Sequence, residues 1–587
     1  MLNPRIYRAA LLPVFVAVVL VAFSFRSEPS PLGTDLAPVA FNSESAFGTL
    51  TQLAEHYPNR TPGSSGDNGV ANHVAADLGP HGYHLSVSRS WFEAHTIEGT
   101  RRVETVVAQL DGAANGRIVV IADRDALGRG ARASLSGTAT LIELGRVLAG
   151  RTLTRTVDLV STSGSTGLAG ATHLAQTLGG SIDAVIVLGD VAGTTVAEPV
   201  VVPWSGGENV APLLLRNTAA ANVRSEAGLA PGGADLAAQF ARLALPLTLS
   251  DQGPFNARGI PSVLLSRAGE RGSQANTPVK ASTLGGFGRA ALQTISALDA
   301  GPSIPPPSAY LVYRGMYLPA WPIRLLVLTL ILPVLCAAID GFARARRRGH
   351  AVGRWMGWVL ASALPFALAS LLVAALGAIG VIDITVPGPV GAGAAPIDFS
   401  SGLEIAAAAL VLALAMFPIR AFILRHIGVR GDPAEPGGAA AVLLVMCALS
   451  LLLWAFNPFA AALTVPALNL WMWVVAPEVR LRTPVAAALL LVGLAPVALV
   501  ILYYAIQFNL SPIGVLWSGV LLIAGGALGV PALLEWSIFA GCAVSVVVIA
   551  TRAAGVGAPE AAPITVRGPV TYAGPGSLGG TKSALRR

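Results

Sequence analysis

Three aspartates close apolar runs in the first half of the chain: Asp123 and Asp125 in "VVIADRD", and Asp190 in "AVIVLGD". An acid at the end of a buried strand can hold a cation. It can also cap the next helix or satisfy backbone donors, which is the plainer role. Other catalytic patterns are missing. "STSGSTGLAG" contains G-S-T-G but not the G-x-S-x-G elbow of a nucleophilic serine. Glycines in "SGG" and "PGG" lie in turns, with no Walker lysine and no G-x-G-x-x-G after a strand. The histidines before the apolar half, His56, His73, His81, His84, His95 and His173, show no metal-binding spacing, so surface or helix-packing roles are expected. Cys336, Cys447 and Cys542 fall inside apolar runs, which excludes a disulfide framework and a cysteine zinc site and leaves buried packing.

The acids must be positioned by the elements around them. "FNSESAFGTLTQLAEHYPNR" predicts a helix capped at Ser43 or Ser45, and "SGDNGVANHVAADLGPHGY" a second one stopped by Gly79 and Pro80. "VETVVAQL", "GRIVVIAD", "RTVDLVST", "DAVIVLGD" and "IPSVLLS" read as buried strands. The helical stretches "GTATLIELGRVLAG" and "GLAGATHLAQTLGG" alternate with them. This pattern predicts an α/β fold over residues 30–302, a mixed and mostly parallel sheet sandwiched by helices.

The order of these blocks resembles the di-zinc aminopeptidase family, which includes glutamate carboxypeptidases and glutaminyl cyclases. "NRTPGSSGDNGVANHVAADLGPHGY", with Arg60 before its turn, resembles the family's opening. "VVIADRD" resembles a strand ending in A-H-x-D, and "GARASLSGTATLIELGRVL" resembles G-A-D-D-N-A-S-G followed by L-E-L-A-R. "STSGSTGLAGA" stands for E-E-x-G-L-x-G-S, "VLGDVAG" for L-D-M-x-G, "LSDQGPFNARGIP" for S-D-H-x-P-F-x-x-x-G-I-P, and "ANTPVK" for H-T-P-x-D. The resemblance implies two zinc ions joined by a bridging carboxylate, with a further carboxylate as base on the bound water. Carried onto this chain, the first ligand is Asp123 instead of His and the bridge is Ala133. The base is Gly164 and the ligand beside it Ser165; the late histidine is Asn276, with Lys280 where an acid follows. Asp125, Asp190 and Asp251 keep their family identities, and Gln252 replaces the histidine after Asp251.

Composition divides the chain. It is 53% hydrophobic and 12% charged over 587 residues, with net charge +7 carried almost wholly by arginine. This alanine-, glycine- and arginine-rich usage suggests a bacterial source. The arginines cluster beside apolar segments, where they set topology, so nucleic acid is not an expected partner. Residues 1–27 are expected to be a signal anchor, 303–318 a proline-rich linker and 552–587 a disordered tail. Residues 319–551 read as about 7–8 transmembrane helices near 319–340, 354–377, 402–422, 438–457, 459–476, 484–506, 512–531 and 534–551. The basic loops at 344–350, 425–431 and 480–482 fall at alternate crossings. They predict a multi-pass plasma-membrane protein with a cytoplasmic N-terminus and an extracytoplasmic 30–302 domain.

The whole plan is similar in architecture to the pseudo-peptidase subunit of the GPI transamidase, by analogy and not by local motif. It implies a catalytically inactive, peptidase-like membrane protein without a cofactor. Its expected partners are membrane lipids and, at the outer face, a membrane protein complex or an exported peptide or lipid-linked substrate. The alternative is a metallo-aminopeptidase with an altered site, using Asp123, Asp125 and Asp190 around zinc.

Overall fold

The computed structural model describes residues 4–34, 40–79, 85–127, 130–382, 384–391, 435–476 and 481–555, with some positions between 410 and 426 and at 479. Helices α1 (Pro4–Ala9) and α2 (Leu11–Ala22) and strand β1 (Arg26–Ser27) come first. Helices α3 (Ser43–His56) and α4 (Ser65–Leu78) precede a hairpin of β2 (Leu85–Thr96) and β3 (Gly99–Leu110). Alternation then sets in with β4 (Arg117–Asp123), α5 (Ser136–Leu148), β5 (Thr156–Thr162), α6 (Ala169–Thr177), β6 (Ile182–Leu188) and β7 (Val201–Val202). Next come α7 (Leu213–Ala227), α8 (Leu236–Ala244), α9 (Gln252–Ala257), β8 (Ser262–Leu265) and α10 (Ala281–Ala300). A second hairpin, β9 (Tyr310–Tyr313) and β10 (Met316–Pro319), leads into α11 (Ala320–Arg347) and α12 (Val352–Ala378). The last helices are α13 (Pro436–Phe456), α14 (Pro458–Val475), α15 (Thr483–Gln507), α16 (Pro512–Ala524) and α17 (Val530–Gly555).

The mixed, helix-flanked sheet expected from the sequence is present. It has seven strands in the order β2-β3-β5-β4-β6-β8-β7, parallel across β5-β4-β6-β8 and antiparallel at both edges. The centre is parallel because helices cover both faces, so these strands are continuous apolar runs. In β4, Ile118, Val120 and Ala122 face the core under α3, α4, α5 and α10, while Val119 and Ile121 face the opposite core. Chain order reverses direction about β4, which makes its carboxyl end the switch point where α/β sheets bind ligands.

Four features differ from the sequence reading. The α3 cap is Asn42, whose side chain accepts from the backbone N–H groups of Glu44 and Ser45. β2 was not apparent in the sequence, because "LSVSRSWFEAHT" exposes most of its residues and offers no apolar run. α7, α8 and α10 were not apparent either; α10 is rich in glycine and alanine, which carry little periodic signal. The second half of the proline stretch is a hairpin whose β10 pairs with β1, tying the N-terminal segment to the start of α11.

Among the described residues, six helices are long and apolar enough to cross a membrane: α11, α12, α13, α14, α15 and α17. α16 has 13 residues, fewer than the roughly 20 that a span requires. Of the helices within residues 512–555, only α17 is long enough to span. Most of the expected span 402–422, most of loop 425–431, His81, His84 and residues 556–587 of the tail lie outside the described residues. α1 and α2 pack on α11, and the Tyr7 hydroxyl donates to Asn469 Oδ1 at 3.1 Å.

The α/β part is locked to the helical part through α8. Arg242 and Glu270 form a buried ion pair. Arg242 Nε also donates to the Tyr503 hydroxyl at 2.9 Å, and its guanidinium lies over the rings of Trp204, Tyr504 and Phe508. Burial pulls its pKa down, but the Glu270 charge more than offsets this and the net shift is upward. Asn457 Nδ2 donates to Leu243 O at 2.8 Å, and Arg271 donates to the terminal carbonyls of α15 at Ile506 and Gln507. Arg242→Met leaves Glu270 buried and unpaired, and is expected to cost about 3–5 kcal/mol. The Arg242→Met/Glu270→Met double variant is expected to recover most of this loss. Thermal melts of the full chain in detergent check both.

Candidate functional site

The loops at the carboxyl ends of β4, β5 and β6 and the start of α9 converge. Asp123 ends β4, paired in register with Thr162 of β5. Asp125 follows it, Ser163 to Ser165 follow β5, Asp190 follows β6, and Asp251 precedes α9.

Asp125 is buried and accepts hydrogen bonds from Ser165, from the backbone N–H at 3.2 Å and from Oγ at 3.0 Å. Asp190 is buried as well. Its Oδ1 accepts from the N–H groups of Ala192 and Gly193 at 3.1 and 2.7 Å, and its Oδ2 from Ser273 Oγ at 2.8 Å. Asp190 thus caps the turn after β6. Asp123 and Asp251 lie close enough for their carboxyl groups to share a hydrogen bond. One outer oxygen of each, Asp123 Oδ1 and Asp251 Oδ2, is buried without a partner among the described residues. Two carboxyl groups in contact cannot both ionise freely, so they share a proton. Burial and the Asp251 charge push Asp123 well up; burial brings Asp251 to about 6, with Asp123 as its hydrogen-bond donor. Burial, then Asp123 and Asp67, bring Asp125 to about 7. Burial raises Asp190 against its hydrogen bonds.

Sequence reasoning missed two residues here. Asp67 Oδ2 accepts from Gly63 N–H and Ser163 Oγ, each at 2.8 Å, and its Oδ1 pairs with Arg124 Nε at 2.8 Å. Arg124 is fully buried and donates to the carbonyls of Glu104, Asp67 and Ser161. The Ser64-x-x-Asp67 spacing at a helix start was a legible signal for the acid. A cation between two aspartates at a buried strand end was one for the arginine. Arg60, also fully buried, donates to Arg124 O, Tyr57 O, Ala131 O and Ser134 Oγ and so ties residues 124, 131 and 134 together.

Residues 105–281 match the sequence pattern of peptidase family M28. They are a peptidase family M28 domain. The chain is similar to a Bacteroides thetaiotaomicron leucine aminopeptidase precursor, at 13% identity over 44% of this chain and 97% of that one, TM-score 0.34. It is similar to Porphyromonas gingivalis glutaminyl cyclase, at 18% identity over 44% and 98%, TM-score 0.32. It is also similar to the Legionella pneumophila LapA aminopeptidase, at 15% identity over 45% and 74%, TM-score 0.36. No curated protein matches.

M28 enzymes are usually zinc-dependent, but the donor set of this M28 domain does not fit a two-zinc centre. The bridging position is the fully buried methyl of Ala133. Ser165 is committed to Asp125, and both oxygens of Asp190 are taken by the turn and Ser273. Asn276 and Lys280 are exposed. Gln252 Nε2 donates to Trp204 O and Thr248 Oγ1. Among the described residues no three His, Cys, Asp or Glu side chains form a group able to hold a metal, so Asp190 does not join Asp123 and Asp125. Gly164 has φ +87°, a conformation that L side chains rarely adopt. A glutamate restored at 164 would therefore be strained.

The acid cluster gives a pH dependence of definite sign. Asp251 and Asp125 hold protons up to about 6 and about 7 when folded, against an ordinary value of 3.8. Their contribution to stability is complete below pH ~4 and is lost as pH rises through ~7. Asp125→Asn and Asp251→Asn are each expected to raise Tm at pH 8 and leave it nearly unchanged at pH 4. The expected size is about 2–4 °C per kcal/mol recovered. Melts of the full chain across this range check it; no pH-dependent gap between variant and native chain contradicts it.

Proposed function

We propose that the protein is a multi-pass plasma-membrane protein whose M28 domain lies on the outer face and binds instead of hydrolysing. Its ligand would be an exported peptide, a lipid-linked substrate or a partner membrane protein. The observation that carries this reading is the Ser165–Asp125 closure beside Gly164: the loop that would hold base and ligand satisfies itself. The arginine distribution supports the orientation. Arg344, Arg346, Arg347 and Arg348 end α11 and Arg482 precedes α15, each at the end of its helix away from the α/β contacts. Those contacts lie at Asn457 and at the Ile506–Gln507 end of α15. The positive-inside rule then leaves the domain outside.

A divergent hydrolase is the competing reading, and the Asp123–Asp251 pair favours it. An acid and its conjugate base in contact can serve proton transfer. Zinc content and aminopeptide turnover of the full chain purified in detergent separate the two. No metal above background and no turnover is expected. Stoichiometric zinc with turnover abolished by Asp190→Ala would overturn the binding reading. Metal-free turnover abolished by Asp251→Asn would establish the hydrolase.

A further inference from the structure

Beyond α12 the chain does not pass directly to the next helix. Residues 384–391, Ile-Thr-Val-Pro-Gly-Pro-Val-Gly, run back across the M28 domain without regular secondary structure, yet Val386, Gly388, Pro389 and Val390 are all buried. Val386 is wholly enclosed. A Cβ added to Gly167 would lie 2.3 Å from its side chain, and one added to Gly525 would lie 1.8 Å from its carbonyl oxygen. A Cβ on Gly388 would meet Gly167 O and the Leu168 side chain at 2.9 Å, and one on Gly391 would touch Leu249 at 3.4 Å. Val386 and Val390 pack with Leu521 of α16, backed by Trp517. The segment is thus clamped between the M28 domain and α16.

The two M28 loops it touches are the ones that carry the site. Gly167 and Leu168 follow Gly164 and Ser165 with only Thr166 between them, and Leu249 stands two residues before Asp251. Glycines on both sides permit backbone approach that a side chain would block. Pro387 and Pro389 restrict the segment and reduce the entropy lost in ordering it.

We propose that residues 384–391 are a strap that occupies the mouth of the M28 site, so that an external chain reaches the Gly164–Leu168 loop only when the strap is released. This holds whether or not the domain hydrolyses anything, and its test needs no turnover. Thr166 is half-buried beside Gly167, while Ala114 is exposed. With the full chain in detergent, Thr166→Cys and, separately, Ala114→Cys are labelled with a membrane-impermeant maleimide. The unsubstituted chain gives the background from the native cysteines. With the native strap, Cys introduced at 166 is expected to react about tenfold more slowly than at 114, as for a site reached through local opening. Val386→Asp, which places a charge in the enclosed position, and Gly388→Val, which adds bulk against Leu168, are each expected to remove most of that difference. Equal rates with the native strap, or a difference unchanged by both strap variants, would overturn the proposal. Should the strap variants fail to fold, oxidation of a Leu249→Cys/Gly391→Cys chain decides. A 249–391 linked peptide supports the strap, and its absence overturns it.

Discussion

Arg242 and Glu270 form an ion pair with almost no access to water. Such a pair is tolerated only when its remaining donors and acceptors are satisfied, and these partners define how the molecule is assembled. Tyr503, on α15, takes one guanidinium N–H, and Leu247 O takes another. Thr248 donates to Glu270, Gln252 donates to Thr248, and Gln252 is the neighbour of Asp251. A single run of polar contacts therefore leads from a membrane-type helix to the edge of the acid pair. Gln252, which stands where the family pattern has a histidine, is a member of that run.

The central strands and the helices between them were legible because both faces of a parallel sheet are buried, which writes each strand as an unbroken apolar run. β2 escaped notice for the opposite reason: as an edge strand beyond β3 it alternates mostly exposed residues. The hairpin at 310–319 was hidden by the prolines before it, although β9 begins three residues after Pro307, the last of them. α16 reads as a span by composition, and only its length in three dimensions sets it apart.

At the site, side-chain losses could be read from spacing alone, since Ala133, Gly164, Ser165 and Asn276 fall in register with a family pattern. What spacing could not reveal is where the freed groups turn. Asp125 turns to Ser165, Asp190 to its own turn, and Asp123 to Asp251, a partner 128 positions away along the chain. The buried counter-charges Asp67 and Arg124 were hidden too, because a paired charge leaves no mark on an apolar pattern.

The largest hydrophobic core among the described residues does not stop at the domain edge. Ala171, Leu174, Leu243 and Phe255 share a continuous cluster with Val334, Trp355, Phe459 and Tyr504 from the helical region. A cut at the proline stretch would pass through that cluster and not around it. The severed α/β half would present Trp204, Phe240 and the Arg242–Glu270 pair to water as a raw cross-section. Large exposed apolar surface of this kind favours self-association. The soluble-looking half of this chain is accordingly not a module merely tethered to the rest: the long apolar helices supply part of its interior.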